Sequence, residues 1–459
     1  MSIDACIAEL TDLLVDTQPQ RVRRRSRDFY WYSPILKRRL DAVTADAVVT
    51  PRSEEEVVRV LAAAYRHDVP VTARGGGTGN YGQAMPLKGG IVLDLCELAA
   101  IERIEHGRIR VQAGLKMAEL DAATIAHSRQ ELRLHPSTHK TGTIGGYIAG
   151  GSSGVGSITW GLLRDRGNIL GLRVLTMEAR PRILELRGAD IQKVNHAYGT
   201  NGIVTVLELP LAPAYRWAEA ILGFEDFAAA CRFADALARE DAILKKLVTV
   251  IQAPVPYDWL FPERGIGREE TAVLVMVADF AFEALLDLLR LHPGRLVWQG
   301  FTDEATGGRL PLFEYSWNHT TLHALKHDRT ITYLQTLFPP PDHLDRVAAM
   351  AARFGEEVPL HLEFVRFGGQ IACFGLQIVR YRSDERLARI IEEHEAAGCP
   401  IFNPHAFTLE EGGMKKVDAQ QLAFKREADP KGLLNPGKML GWENPDWRPG
   451  ERAFLYEAR

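Results

Sequence analysis

The chain has 459 residues, 46% hydrophobic and 25% charged, with 55 lysines and arginines set against 59 aspartates and glutamates for a formal net charge of −4. That length points to two domains, the apolar and charged fractions are ordinary for a soluble globular enzyme, and the charge balance excludes a general attraction to nucleic acid or an anionic membrane surface. Five scattered cysteines without a C-x-x-C pair suggest neither a zinc site nor an iron–sulfur cluster. With no signal-peptide pattern and no apolar run of membrane-spanning length, they lead to the expectation of a cytoplasmic protein without a membrane span.

In chain order, residues 1–40 read as a helical segment. It carries a basic run, Arg21, Arg23, Arg24, Arg25 and Arg27, more simply a solvated or inter-domain face than a partner site, and then the aromatic cluster Phe29, Tyr30, Trp31 and Tyr32. A short strand at residues 47–51 precedes Ser53, which with Glu54, Glu55 and Glu56 forms a capping box for a helix bearing Val57, Val60, Leu61 and Ala64 at helical spacing.

The first glycine-rich stretch follows at residues 74–81: Arg74, Gly75, Gly76, Gly77, Thr78, Gly79, Asn80 and Tyr81. Residues 77–82 also spell G-x-G-x-x-G, the dinucleotide-binding pattern, but that pattern must open a helix. Here Pro86, Gly89 and Gly90 intervene before a strand at residues 91–95, so the Rossmann reading fails on context. Alternating residues 109–113 predict a strand, and residues 116–128 a helix. The second stretch runs through Thr141, Gly142, Thr143, Gly145, Gly146, Gly150, Ser152, Ser153 and Gly154, with no charge from Thr141 to Leu163. A low-complexity linker shares such glycine content, but the interleaved Ile144, Tyr147, Ile148, Val155, Ile158 and Trp160 argue for packed, ligand-facing backbone. Glycine lets main-chain N–H groups turn toward an anion, so the two stretches together read as a cradle for a diphosphate; the competing reading keeps the glycines for tight turns alone.

Strands at residues 171–176 and 203–209 end at Pro210 and Pro213, which suggests a domain boundary near 214. Beyond it, strands at 217–224, 247–251 and 272–277 with helices at 227–239 and 281–290 predict an antiparallel sheet covered by helices on one face. The expected organisation is a helical segment 1–40, a ligand-binding domain 41–214, a cap or substrate domain 215–400 and a returning segment 401–459, all of α+β class.

These motifs resemble, in order, those of FAD-binding PCMH-type flavoproteins, the vanillyl-alcohol oxidase type. The resemblance rests on residues 49–53, 74–79, 136–161 and 198–205, while residues 434–438 are similar to the C-terminal signature of the D-lactate dehydrogenase and glycolate oxidase branch. It implies a two-subdomain FAD domain with Arg74 to Asn80 around the pyrophosphate, flanked by Tyr81, and Thr141, Gly142, Thr143, Gly145 and Gly146 on the ribityl and phosphate side. Pro136, Ser137, Thr138, Gly150, Ser153, Gly154, Ser157, Gly161 and Asn435 would continue the lining, and Gly202, Ile203 and Val204 would present main chain to the flavin or adenine. Thr78 stands where covalently linked members have histidine, and the second loop lacks cysteine, so the resemblance implies noncovalent FAD.

Oxidising an alcohol on a flavin requires the carbinol carbon over N5 and a base near the hydroxyl, and an acid substrate also requires a cation. Alternation along residues 360–366 puts His361 and Glu363 on one strand face and Leu360, Leu362 and Phe364 on the other, either as an active-site wall or as a solvent-facing side. His405 lies where the lactate and glycolate branch has a glutamate-histidine-glycine motif, with Glu410, Glu411, Gly412, Gly413, Met414 and Lys415 after it, and is the expected base. His319 and His323 at i and i+4 could chelate a metal, but without an acidic partner in the segment they read first as substrate contacts or helix surface, and no metal is expected. Lys326, Arg329, Arg366 and Lys438 are the candidate carboxylate anchors.

The expected function is FAD-dependent hydride abstraction from the CH–OH group of a small substrate, a 2-hydroxy acid, with electrons passed to oxygen, a quinone or a carrier protein. The alternatives are a bulkier or aromatic alcohol received by Trp259, Phe261, Trp298 and Trp317, and a noncatalytic flavin-binding subunit of a larger oxidase. A homo-oligomer is possible under any of these.

Overall fold

The computed structural model describes residues 2–151, 153–304, 309–413, 419–444 and 446–447, so Ser152, Met414 and Lys415 lie outside the described residues. The first sheet has four strands in the order Leu14–Asp16, Ala47–Thr50, Ile91–Asp94, Val71–Arg74. The last three run parallel and Leu14–Asp16 antiparallel. Helix Glu54–Arg66 covers the sheet by packing Val57, Val60, Leu61 and Ala64 with Val49, Val71, Ile91 and Leu93. Ser53 caps it, accepting the Glu56 amide at 3.3 Å, and Glu56 accepts the Arg52 amide at 2.7 Å. The N-terminal forty residues are only partly helical, because the segment also supplies the edge strand Leu14–Asp16.

The second sheet is antiparallel: Ile101–Glu105, Arg108–Gln112, Ile203–Pro213, Gly171–Leu175 and Ile183–Arg187, with Gln130–Leu132 on the far end of the long strand. Pro210 does not end that strand. Its missing donor falls where the strand changes partners, from Arg108 opposite Pro210 to Leu132 opposite Leu211. The second glycine-rich stretch folds into a short helix, Ile144–Gly150, with Thr143 accepting the Gly146 amide at 3.3 Å. A Cβ on Gly145 would sit 2.5 Å from the Ala113 Cβ, so glycine is what lets this helix lie directly on the strand end. No helix opens after the first glycine loop: the next element is strand Ile91–Asp94.

The third sheet is antiparallel, in the order Gly294–Phe301, Trp217–Phe224, Thr271–Ala278, Lys245–Ile251, His361–Phe367, Gln370–Gly375, Thr336–Phe338. Side chains of one parity, among them Ala218, Leu222, Val250, Val275, Leu362 and Phe364, pack with helices Phe227–Arg239, Phe282–Arg290 and His343–Phe354. The opposite parity carries Glu219, Thr249, His361 and Glu363, all at most 1% exposed, so the polar face of strand His361–Phe367 is buried. Glu131 joins this sheet to the second one, accepting from Lys246 Nζ at 2.7 Å and from Trp217 Nε1 at 3.0 Å.

The C-terminal segment returns to the first two sheets. Helix Ala419–Ala428 buries Phe424 and Ala428 among the second sheet's apolar side chains, and Leu434 bridges Val71 in parallel. Lys425 pairs with Asp429 at 2.5 Å and also donates to the Thr200 and Leu434 carbonyls, so its charge is fully matched in the interior. Among the described residues, no helix is long and apolar enough to cross a membrane.

Candidate active site

A cleft that takes in about 1520 Å³ together with the solvent at its open mouth lies where the three sheets meet. Its floor is the two glycine-rich stretches, which pack back to back: a Cβ on Gly75 would lie 2.0 Å from Thr143 Oγ1, and one on Gly76 would lie 2.3 Å from the Thr141 carbonyl. Above them, among the described residues, the amides of Gly76, Gly77, Thr78 and Gly79 donate to no protein acceptor. Four successive unmatched donors beside the cleft-lining side chains of Asn80 and Ser137 suit an anion with several oxygens, such as a diphosphate. Gly150 also lines the cleft and has no atom within 4 Å of its Cβ position, so a side chain there would enter the cleft itself.

Of the sequence-derived cofactor set, Arg74, Gly75, Gly76, Gly77, Thr78, Gly79, Asn80, Pro136, Ser137, Thr138, Gly142, Thr143, Gly145, Gly146, Gly150, Ser153, Gly202, Ile203 and Val204 line the cleft. Arg74 does so with its guanidinium already engaged, donating to the carbonyls of Arg25 at 2.8 Å, Gly75 at 2.8 Å and Arg27 at 3.3 Å. It braces the glycine loop against the N-terminal segment, while burial presses its pKa down. Tyr81, Thr141, Gly154, Ser157, Gly161 and Asn435 do not line the cleft. The Tyr81 hydroxyl lies 2.7 Å from Gln335 Oε1, Gly154 donates to Ser157 Oγ at 3.1 Å, and Asn435 Nδ2 donates to the carbonyls of Gln83 and Tyr198. Phe29 and Tyr32, from the segment read as a helical preamble, line the cleft as well.

The cap contributes Trp317, Asn318, His319 and Gln335 to the same cleft. Helix Asn318–His327 starts at the wall, and the short turn Leu312–Tyr315 before it carries Glu314. His319 Nδ1 donates to Glu314 Oε2 at 2.9 Å, leaving Nε2 as the ring's acceptor. Burial pushes Glu314 up, but the hydrogen bond from His319 and the charge of Lys140 at 3.7 Å bring it net below its ordinary value and keep it anionic. A carboxylate-oriented imidazole opening into a cleft can accept a proton. The sequence offered no acidic partner for His319, because Glu314 precedes the helix rather than sitting on it.

The five residues first read as catalytic are elsewhere. His405 is buried, with Nδ1 accepting from Ser33 Oγ at 2.7 Å and Nε2 donating to the Tyr333 carbonyl at 3.0 Å, and burial pushes it down to about 4. His361 and Glu363 are buried against each other at 2.8 Å, behind Trp317. Arg366 pairs with Asp241, and Lys438 donates to the Gly82 carbonyl in the interior. Lys326 sits 3.4 Å from His323, and neither it nor Arg329 lines the cleft. Trp259 and Trp298 pack against the apolar cluster that holds Phe261 and Tyr32 and do not themselves line the cleft, so of that aromatic set Trp317 alone does. His323 Nε2 donates to the Glu314 carbonyl at 3.0 Å, and among the described residues no group of three histidine, cysteine or acidic side chains is arranged to hold a metal.

A family model described as an FAD binding domain matches residues 45–185. The chain is 31% identical over 179 residues to a D-lactate dehydrogenase of Archaeoglobus fulgidus, covering 37% of this chain and 39% of that protein. It is 27% identical over 431 residues to the glycolate oxidase subunit GlcD of Bacillus subtilis, covering 86% and 89% respectively. A solved alkyldihydroxyacetonephosphate synthase aligns over 95% of this chain and 85% of its own, with a TM-score of 0.72 at 15% identity, a likeness of fold.

Proposed function

We propose, from the premise that this chain belongs to the FAD-linked oxidoreductases with a PCMH-type FAD-binding domain, that it oxidises the CH–OH group of a small hydroxylated substrate with His319 as the proton acceptor. The Glu314–His319 pair carries this reading, because it opens into the same cleft as the unmatched glycine amides. The amides of Gly76 to Gly79, with Asn80 and Ser137, would hold the diphosphate, and the open face of Gly150 leaves room for the rest of a noncovalently held cofactor. FAD, when bound, supplies the two-electron acceptor for the carbinol hydride, and electrons leave to oxygen, a quinone or a carrier protein. His319 Nε2 takes the hydroxyl proton, Glu314 stabilises the resulting imidazolium, and Asn318 and Gln335 orient the hydroxylated carbon.

The relatives named D-lactate dehydrogenase and glycolate oxidase subunit favour a 2-hydroxy acid. One observation favours a neutral, bulkier alcohol instead: among the described residues the cleft's only cation is Arg74, whose guanidinium is taken up by carbonyls, while Phe29, Tyr32 and Trp317 offer aromatic surface. Anaerobic titration of the yellow protein with D-lactate, glycolate and uncharged aliphatic and aromatic alcohols separates the two by which compound bleaches it. In His319→Ala we expect reduction to slow by about 10²-fold or more with FAD still bound. Reduction at the wild-type rate removes His319 as base, and a yellow protein that no alcohol bleaches favours a noncatalytic subunit.

A further inference from the structure

We propose that Glu363 is the positioning residue of this site: its carboxylate holds the strained turn at Trp317 and so fixes where His319 meets Glu314. The inference rests on the reading of His319 as proton acceptor and deepens it. Trp317 has φ 49° and ψ −141°, in the half of φ space that residues with a side chain rarely adopt. Helix Asn318–His327 begins at the next residue, and no side chain of the segment caps its first amides.

Glu363 supplies what the segment lacks. Its Oε1 accepts the Trp317 amide at 2.6 Å and lies 2.8 Å from His361 Nε2, and its Oε2 accepts the Thr249 hydroxyl at 2.6 Å. Thr249 and Glu363 are directly opposed on neighbouring strands, which makes this a rigid mount. Thr320 Oγ1 donates to the Tyr315 carbonyl and lies 3.4 Å from His361 Nε2, closing the turn from the other side. The turn held in this way joins Glu314 to His319. The three groups facing Glu363 are donors, so an ionised carboxylate satisfies them all, whereas a glutamine amide turns its N–H₂ toward one of them. The titratable groups around the turn are His361 on the strand and Glu314, His319, His323 and Lys140 across it.

The test uses the full FAD-loaded chain as Glu363→Gln, Thr249→Val and His319→Gln. In Glu363→Gln, anaerobic flavin reduction at saturating substrate should slow by about tenfold or more, with FAD content unchanged and the apparent substrate Kd moved by less than about threefold. Thr249→Val should move the rate in the same direction by less, and it keeps the test open if Glu363→Gln fails to fold. Independently of turnover, the His319 ring signal in histidine-labelled protein, assigned by its loss in His319→Gln, should titrate at a displaced pH in both variants. Wild-type reduction rates together with an unmoved His319 titration overturn the proposal. If His319→Ala leaves reduction intact, the base reading falls, while a displaced His319 titration in Glu363→Gln still supports Glu363 as the group that sets that ring.

Discussion

A glycine is kept either for what lies against it or for what it leaves open, and helix Ile144–Gly150 contains both kinds. Gly145 is pressed against Ala113, whereas Gly150 has no atom within 4 Å of its Cβ position and faces the cleft. The same substitution should therefore have different effects at the two sites. Gly145→Val should cost about 1–3 kcal/mol in urea unfolding through overpacking. Gly150→Val should fold with near wild-type stability and hold FAD at least about tenfold more weakly, read from the flavin absorbance retained after gel filtration. A Gly150→Val protein with its full complement of FAD would take this residue out of the cradle.

At the scale of elements, the tail depends on one buried ion pair. Lys425 and Asp429 are both at most 1% exposed, and Asp429 also accepts the amides of Leu433 and Leu434, the latter of which bridges strand Val71–Arg74. Lys425→Met would leave the carboxylate buried and unpaired, so we expect a loss of about 3–5 kcal/mol in urea unfolding. A loss below about 1 kcal/mol would mean that the tail is held by its apolar contacts alone. Elements with a local signature were legible in the sequence, including the capped helix at Ser53 and the strands and helices of the cap sheet. The glycine loops were legible too, because glycine beside hydroxyls has few other uses in a charge-free run. The strand Leu14–Asp16 was not, since three residues carry no period, and the glycine-rich helix was not, because Ala113 stabilises it from a distant part of the chain. His319 was passed over for a related reason: its partner lies before the helix, and the turn leading into that helix is bonded to Glu363, 46 positions from Trp317 in sequence.

At the scale of the whole molecule, buried imidazoles govern the response to acid. Burial, aided by the charge of Arg164, pushes His196 down to about 3, and burial pushes His323 and His405 to about 4. His135 and His394 are lowered for the same reason. An unfolded chain binds protons at these sites below about pH 6.5 and the native one does not, so stability rises with pH there and is lost on acidification. Each imidazole adds up to about 1.4 kcal/mol per pH unit to that slope, opposed by Asp28, which burial raises. The urea midpoint should therefore fall between pH 7 and 5.5, and an unchanged or higher midpoint at pH 5.5 would contradict this. The brace made by Arg74 bears on how the protein can be divided. A recombinant fragment cut to the matched span, 45–185, would lose the carbonyls of Arg25 and Arg27 that hold the first loop, the ring faces of Phe29 and Tyr32, and the imidazole of His319. Such a fragment should emerge colourless, because the grip on the yellow coenzyme is assembled from three remote stretches of one polypeptide.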